Sequence, residues 1–127
     1  MPPSNNRIFM PVAIWRTRRG EVELQREINP ACLPVNLDEL RRMLDAGTVE
    51  PARRGSFCVQ FGGSGHYFDE RADALAYLCK RWRGNFITKH LEDACALAAT
   101  RQPAALAEAQ KRAEMWKIME NSGGDKP

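Results

Sequence analysis

Ser56-Phe-Cys-Val-Gln-Phe61-Gly-Gly-Ser-Gly65-His-Tyr-Phe-Asp69 runs without interruption into an amphipathic segment that ends at Trp82-Arg83-Gly84. Phe57, Val59 and Phe61 alternate with Ser56, Cys58 and Gln60. A period of two in aromatic and β-branched residues is that of a strand with one buried face. Gly62, Gly63 and Gly65 offer the positive-φ conformations a hairpin loop needs, so His66, Tyr67 and Phe68 read as the returning strand. Asp69 is a suitable helix N-cap, because its carboxylate can accept from the free amides of a first turn. Glu70 and Asp73 suit the positive end of that helix, and Lys80, Arg81 and Arg83 suit its negative end. Gly84 ends it in the left-handed region. Ala72, Leu75, Ala76, Cys79 and Trp82 fall at three- and four-residue spacing, which predicts an inward stripe anchored by Trp82. Tyr77 is expected on the other side, beside Lys80 and Arg81.

The segments before this unit follow the same logic. Arg7 to Arg16 is almost continuously apolar and reads as a strand, with Pro11 marking an edge or a bulge because it has no N–H to donate. Thr17 to Gly20 is a turn. Val22, Leu24 and Ile28 alternate with Glu21, Glu23, Gln25 and Glu27, the pattern of a half-buried strand. Asn36 with Glu39 three residues on forms a capping box, and Val35 with Leu40 a hydrophobic staple. They open a short helix through Leu37, Leu40 and Leu44 that Gly47 closes.

After Gly84, Asn85 or Thr88 is expected to begin a helix with Ile87, Leu91, Ala94, Cys95 and Ala98 as its stripe. Pro103 suits the first turn of a further helix, with Leu106, Ala109, Ala113, Trp116 and Met119 inward. The expected fold is therefore α+β: two β-hairpins in a small mixed or antiparallel sheet with about four helices, in the order ββαββααα. One layer of helices on one face of the sheet buries both. A single domain is expected over 7–120, with disordered tails at 1–6 and 121–127.

The 127 residues are 43% hydrophobic and 28% charged, values of a globular chain able to bury a core without disulfides or metal. No apolar run approaches the length of a membrane span, and no basic segment followed by an apolar one marks a signal peptide. Cys32, Cys58, Cys79 and Cys95 share no Cys-x-x-Cys spacing, so reduced thiols in a cytoplasmic protein are expected. Cys79, His90 and Cys95 are the only residues that suggest zinc, and they lack its paired short spacings.

No catalytic constellation is legible. The Gly62–Gly65 loop lacks the Lys-Ser/Thr of a phosphate-binding loop and precedes a strand. His66 and His90 have no nucleophile or carboxylate arranged beside them. The pairs Asp38-Glu39, Asp69-Glu70 and Glu92-Asp93 stand at helix starts, where the dipole accounts for them. The remaining signal is basic: Arg16, Arg18 and Arg19 at the first hairpin tip, Arg53 and Arg54 before the central strand, and Lys80, Arg81, Arg83 and Lys89 around a helix-to-helix turn, with Tyr77 among them. A net charge of +3 permits nucleic-acid binding without requiring it.

The alternative is that these are scattered solubilising charges. A hairpin followed by a helix occurs in small DNA-binding modules, but analogy at that level does not give function. The expectation is a non-enzymatic bacterial or phage accessory protein, without cofactor or metal. It would bind nucleic acid or a nucleoprotein through these arginine-rich surfaces. The alternative is an inhibitor or adaptor from a mobile element that binds another protein or a second copy of itself, with no nucleic-acid contact. No membrane partner is expected.

Overall fold

The computed structural model describes residues 8–29, 33, 36–46 and 54–124. The elements are β1 (Ile8–Thr17), β2 (Gly20–Ile28), α1 (Leu37–Ala46), β3 (Phe57–Phe61), β4 (Ser64–Phe68), α2 (Arg71–Arg81) and α3 (Leu91–Gly124). The four strands form one antiparallel sheet in the order β1-β2-β3-β4. The fold is α+β as expected, and the described residues form three helices rather than about four, in the order ββαββαα. Val35, Gly47, Cys32 and Arg53 lie outside the described residues.

The missing boundary is at Pro103, which sits inside α3. A proline inside a helix leaves the carbonyl four residues earlier without its amide donor. Here that carbonyl, of Ala99, accepts from Arg41 Nη2 at 3.2 Å. Arg41 Nε also donates to Gln102 Oε1 at 3.2 Å, and Gln102 Nε2 donates to the Pro11 carbonyl at 3.0 Å. A side chain from α1 thus replaces the lost hydrogen bond, and the helix continues. Its backbone stays helical through Gly124, four residues into the expected tail. The inward placement expected of Trp116 and Met119 falls outside the described side chains.

Pro11 marks both features its chemistry predicts. β1 is an edge strand, and its register against β2 shifts between Pro11 and Ala13. Past Gly84 the chain delays the expected helix. Phe86 instead bridges Thr17, and the Ile87 amide donates to the Arg16 carbonyl at 2.6 Å. This short pairing covers part of the β1 edge. It also leaves Ile87, expected in a buried stripe, 64% exposed.

One apolar cluster joins Ala13, Trp15, Val22, Leu24 and Val59 of the sheet to Ala74, Leu78 and Trp82 of α2 and Ala94 of α3. A second joins Ile8, Met10 and Ile28 to Leu40 of α1 and to Leu106 and Ala109 of α3. Trp82 is buried, as expected, but the stripe of α2 is rotated. Ala74 and Leu78 are buried and Leu75 partly so, while Ala72, Ala76 and Cys79 are exposed. The larger side chains of Leu78 and Trp82 set the inward direction, and alanines fit either face.

Asp69 does not cap α2. Glu70 is the N-cap without a side-chain bond, and Asp69 Oδ1 accepts from the Gly55 amide at 2.7 Å, tying the connector before β3 to the end of β4. Asn36 does cap α1, accepting from the Glu39 amide at 2.8 Å.

The β3–β4 turn consists of Gly62 and Gly63, and of the loop glycines only Gly62 has positive φ. That sign pattern fits a type II′ hairpin turn. At Gly65 the backbone approaches its neighbours closely instead: a Cβ there would stand 3.2 Å from Cys58 Sγ, which would have to give by a few tenths of an ångström, and 2.9 Å from the movable end of Gln60.

Glu27 and Cys58, expected on an open face, are buried. The rings of Phe9 on β1 and Tyr67 on β4 meet at 5.6 Å, although these are the two edge strands. Four strands laid flat would hold the edges about 14 Å apart, so the sheet curls and the two rings lean over this face. Phe9 is paired with Glu27 and Tyr67 with Cys58, so the rings shelter those two positions.

Candidate functional site

The register brings both hairpin turns to one end of the sheet, because Val22, next to the first turn, pairs with Phe61, next to the second. α2 starts at the far end of β4 and returns over the sheet. Its last turn is pinned to this same end by Trp82, whose ring packs at a tilt against Phe61, 5.3 Å between centroids. Phe86 then packs on Trp15 at 6.0 Å and bridges Thr17. Arg16, Arg18 and Arg19 therefore share one end of the molecule with Lys80, Arg81 and Arg83, whereas Lys89 follows the antiparallel Thr17–Phe86 bridge, where the chain runs back along β1 away from the tip.

Local chemistry fixes the tip. Thr17 Oγ1 donates to the Gly20 carbonyl at 2.7 Å and accepts from the Arg19 amide at 3.1 Å. The Arg18-Arg19 pair is thus held in a defined loop with both side chains exposed. Arg18, Arg19, Lys80, Arg83 and Lys89 form no ion pair with the described residues. Arg16 is partly neutralised by Glu21 at 3.6 Å. Arg101 of α3 shares Glu21 with Arg16 and also holds Glu23. The negative end of the α2 dipole favours Lys80 and Arg81 where they stand.

Two expected members behave differently. Tyr77 is half-buried, its ring tilted against His66 at 4.9 Å and Phe68 at 5.3 Å and set edge-on to Trp82 at 6.1 Å. It belongs to the packing between α2 and β4, not to an outward face. Arg81 lies over the Trp82 ring, 5.1 Å from its centroid, rather than against Tyr77. Arg54 is exposed but stands at the opposite end of the sheet, next to the Gly55–Asp69 tie.

A second feature carried no sequence signal. A cleft of about 670 Å³ opens between α1, α3 and the sheet, lined by Arg26 of β2, Arg41 of α1, Arg71 of α2 and Asp45, with Val12 and Phe57 on its apolar wall. Its arginines are 15 or more positions apart in the chain, and only the fold brings them together. Burial first, and the neighbouring Arg71 second, push the Arg26 guanidinium below its ordinary value.

Among the described residues no three His, Cys, Asp or Glu side chains are grouped to hold a metal ion, and no helix is long and apolar enough to cross a membrane. Cys58, Cys79 and Cys95 are free thiols. Burial raises the Cys95 thiol above its usual range, with Asp45 and Glu92 adding to the rise and Arg71 opposing it. A raised value means less thiolate at any given pH, and thiolate is the reacting form. Labelling with a thiol reagent at mildly alkaline pH, followed by peptide mass spectrometry, should find exposed Cys79 modified first, Cys95 slowly and buried Cys58 only on unfolding. Cys95 labelling ahead of Cys79 would contradict this order.

No protein-family model matches the chain, and no curated protein or solved structure matches it either.

Proposed function

We propose that this protein is a non-enzymatic accessory protein that binds nucleic acid, alone or within a nucleoprotein, through its basic end. The observation that carries the reading is the gathering of Arg16, Arg18, Arg19, Lys80, Arg81 and Arg83 at one end of a chain whose net charge is only +3. Guanidinium groups offer a planar fork of donors that matches phosphate oxygens. Arg18 and Arg19 stand on a turn that is already ordered, so little conformational freedom is lost on binding. Interactions of this kind hold a phosphate backbone without reading its sequence, and binding is expected to be tolerant of sequence.

The test is a mobility shift with single- and double-stranded DNA and RNA at low and moderate salt. Wild type should bind at low salt and weaken steeply as salt rises. The Arg18→Glu/Arg19→Glu double variant should lose most of the shift. Its salt slope should fall by about one for each phosphate that the variant no longer neutralises. Arg54→Ala, at the other end, should bind as wild type. Absence of any shift at low salt would eliminate direct nucleic-acid binding.

A second reading, an adaptor that binds protein, draws on α3. Met115 and Ile118 are three residues apart and 55% and 58% exposed, beyond the last residues of the second cluster. An interface centred on them would be far less sensitive to salt. It would survive the tip variant and fail in Met115→Asp/Ile118→Asp.

A further inference from the structure

We propose that the outward face of the second half of α3 pairs antiparallel with the same face of a second copy of the chain, forming a weak two-fold dimer. Ala104, Ala107, Lys111, Glu114 and Ile118 follow one another at alternating three- and four-residue spacing, and all five are exposed. That spacing is the seam of a two-helix coiled coil. The opposite side of the same turns carries Gln102, Leu106 and Ala109, which are buried. The seam therefore looks away from the core. The proposal rests on the reading of α3 as a protein-binding surface and names its occupant; it is independent of the basic end.

Two observations select a second copy, and they give the same register. The first is charge. Lys111 and Glu114 form no ion pair with any described residue, while their neighbours Glu108 and Arg112 are already joined at 3.1 Å. With the two-fold axis level with the Arg112–Ala113 peptide, Lys111 of each copy stands opposite Glu114 of the other. A parallel pairing would set lysine against lysine and glutamate against glutamate, which repel. The second is shape. A shallow hollow is lined by Ala107, Glu108, Lys111, Arg112 and Met115, with Ala107 the smallest of its side chains. The axis that matches the charges also brings Ile118 of the second copy opposite Ala107, so that a knob meets a hole. Ile118 and Met115 are 58% and 55% exposed, and pairing removes both from water. From Ala104 to Ile118 the seam is about 20 Å long at 1.5 Å per residue. An interface of that size belongs to the weak class, with a dissociation constant of about 10–100 μM expected.

Sedimentation velocity of the intact chain, at concentrations bracketing that range, is the test. Wild type should pass from monomer to dimer and no further, because a two-fold pairing is closed. Ile118→Asp should weaken association by about tenfold or more, since pairing would bury an unpartnered carboxylate. Lys111→Glu and Glu114→Lys each set like charges opposite one another at two symmetric contacts, and each should weaken the dimer by about tenfold. The double swap Lys111→Glu/Glu114→Lys restores opposite charges with their order reversed, and should return association to within about threefold of wild type. These positions are exposed, so circular dichroism should show every variant folded.

The Arg18→Glu/Arg19→Glu variant should dimerise as wild type, which separates this face from nucleic-acid binding. A chain that stays monomeric across the range would overturn the proposal. That includes the case in which a different protein occupies the face, an outcome that leaves the adaptor reading standing. A double swap as weak as the single variants would also overturn it, as would a dimer indifferent to Ile118→Asp.

Discussion

Trp82→Ala should destabilise the protein by about 3–5 kcal/mol, the usual cost of truncating a buried tryptophan to alanine. The residue is only 4% exposed, although it stands at the C-terminus of a helix whose next residues are solvated. Its ring meets Phe61 at 5.3 Å and Tyr77 at 6.1 Å, and the same cluster contains Trp15, Val22 and Leu78. It therefore joins the end of α2 to the end of the sheet that carries both hairpin turns. An alanine there leaves a void that the strands cannot collapse to fill, because their positions are fixed by the ladder. Against a typical total of about 5–15 kcal/mol the loss is large, and the urea midpoint should fall accordingly. A midpoint equal to that of wild type would show that the ring is not packed as described.

Pro103→Ala should stabilise the protein by about 1–3 kcal/mol, because an interior proline is about 3 kcal/mol worse than alanine in a helix and Arg41 already offsets part of that loss. The variant restores an amide at position 103 for the Ala99 carbonyl, which now accepts from Arg41 Nη2. Arg41→Ala in the wild-type background should cost about 1–3 kcal/mol, since it removes charge-assisted bonds to that carbonyl and to Gln102. In the Pro103→Ala background the same change should cost less, with a coupling of at least about 0.5 kcal/mol in the double-mutant cycle. Denaturant unfolding of the four proteins measures it. An identical cost of Arg41→Ala in both backgrounds would sink the account of how α3 passes Pro103.

Alternation and turn residues made the two hairpins readable from the chain alone. Phe57-Val59-Phe61 and Val22-Leu24 have a period only a strand satisfies, and the glycines after Phe61 mark the turn, although the returning strand begins at Ser64 rather than at His66. The Asn36 cap of α1 and the bulge at Pro11 were equally local. Each depends on the chemistry of one residue and its near neighbours, so no distant interaction was needed to see them. The burial of Trp82 was legible for a related reason, since few positions at the end of an amphipathic run can hold so large an apolar ring.

The rest depended on what lies far away in the chain. Pro103 reads locally as a helix start. It became an interior position because Arg41, from a separate helix far earlier in the chain, reaches the orphaned Ala99 carbonyl, and nothing near Pro103 records that. The spacing of Ala72, Ala76 and Cys79 points to the wrong face of α2 because alanine is equally at ease inside and outside. The orientation was set by the fit of Leu78 and Trp82 against the sheet. Glu27 and Cys58 looked exposed because alternation assumes a flat sheet with one open face, and here curvature brings Phe9 and Tyr67 together above them. The sequence showed basic residues in groups. Only strand register could put the Arg18-Arg19 tip and the end of α2 at one end and Arg54 at the other, or draw Arg26, Arg41 and Arg71 around a single cleft. Local propensity acts over a few residues, whereas a site is made where separate elements pack, and that packing is decided by the whole core at once.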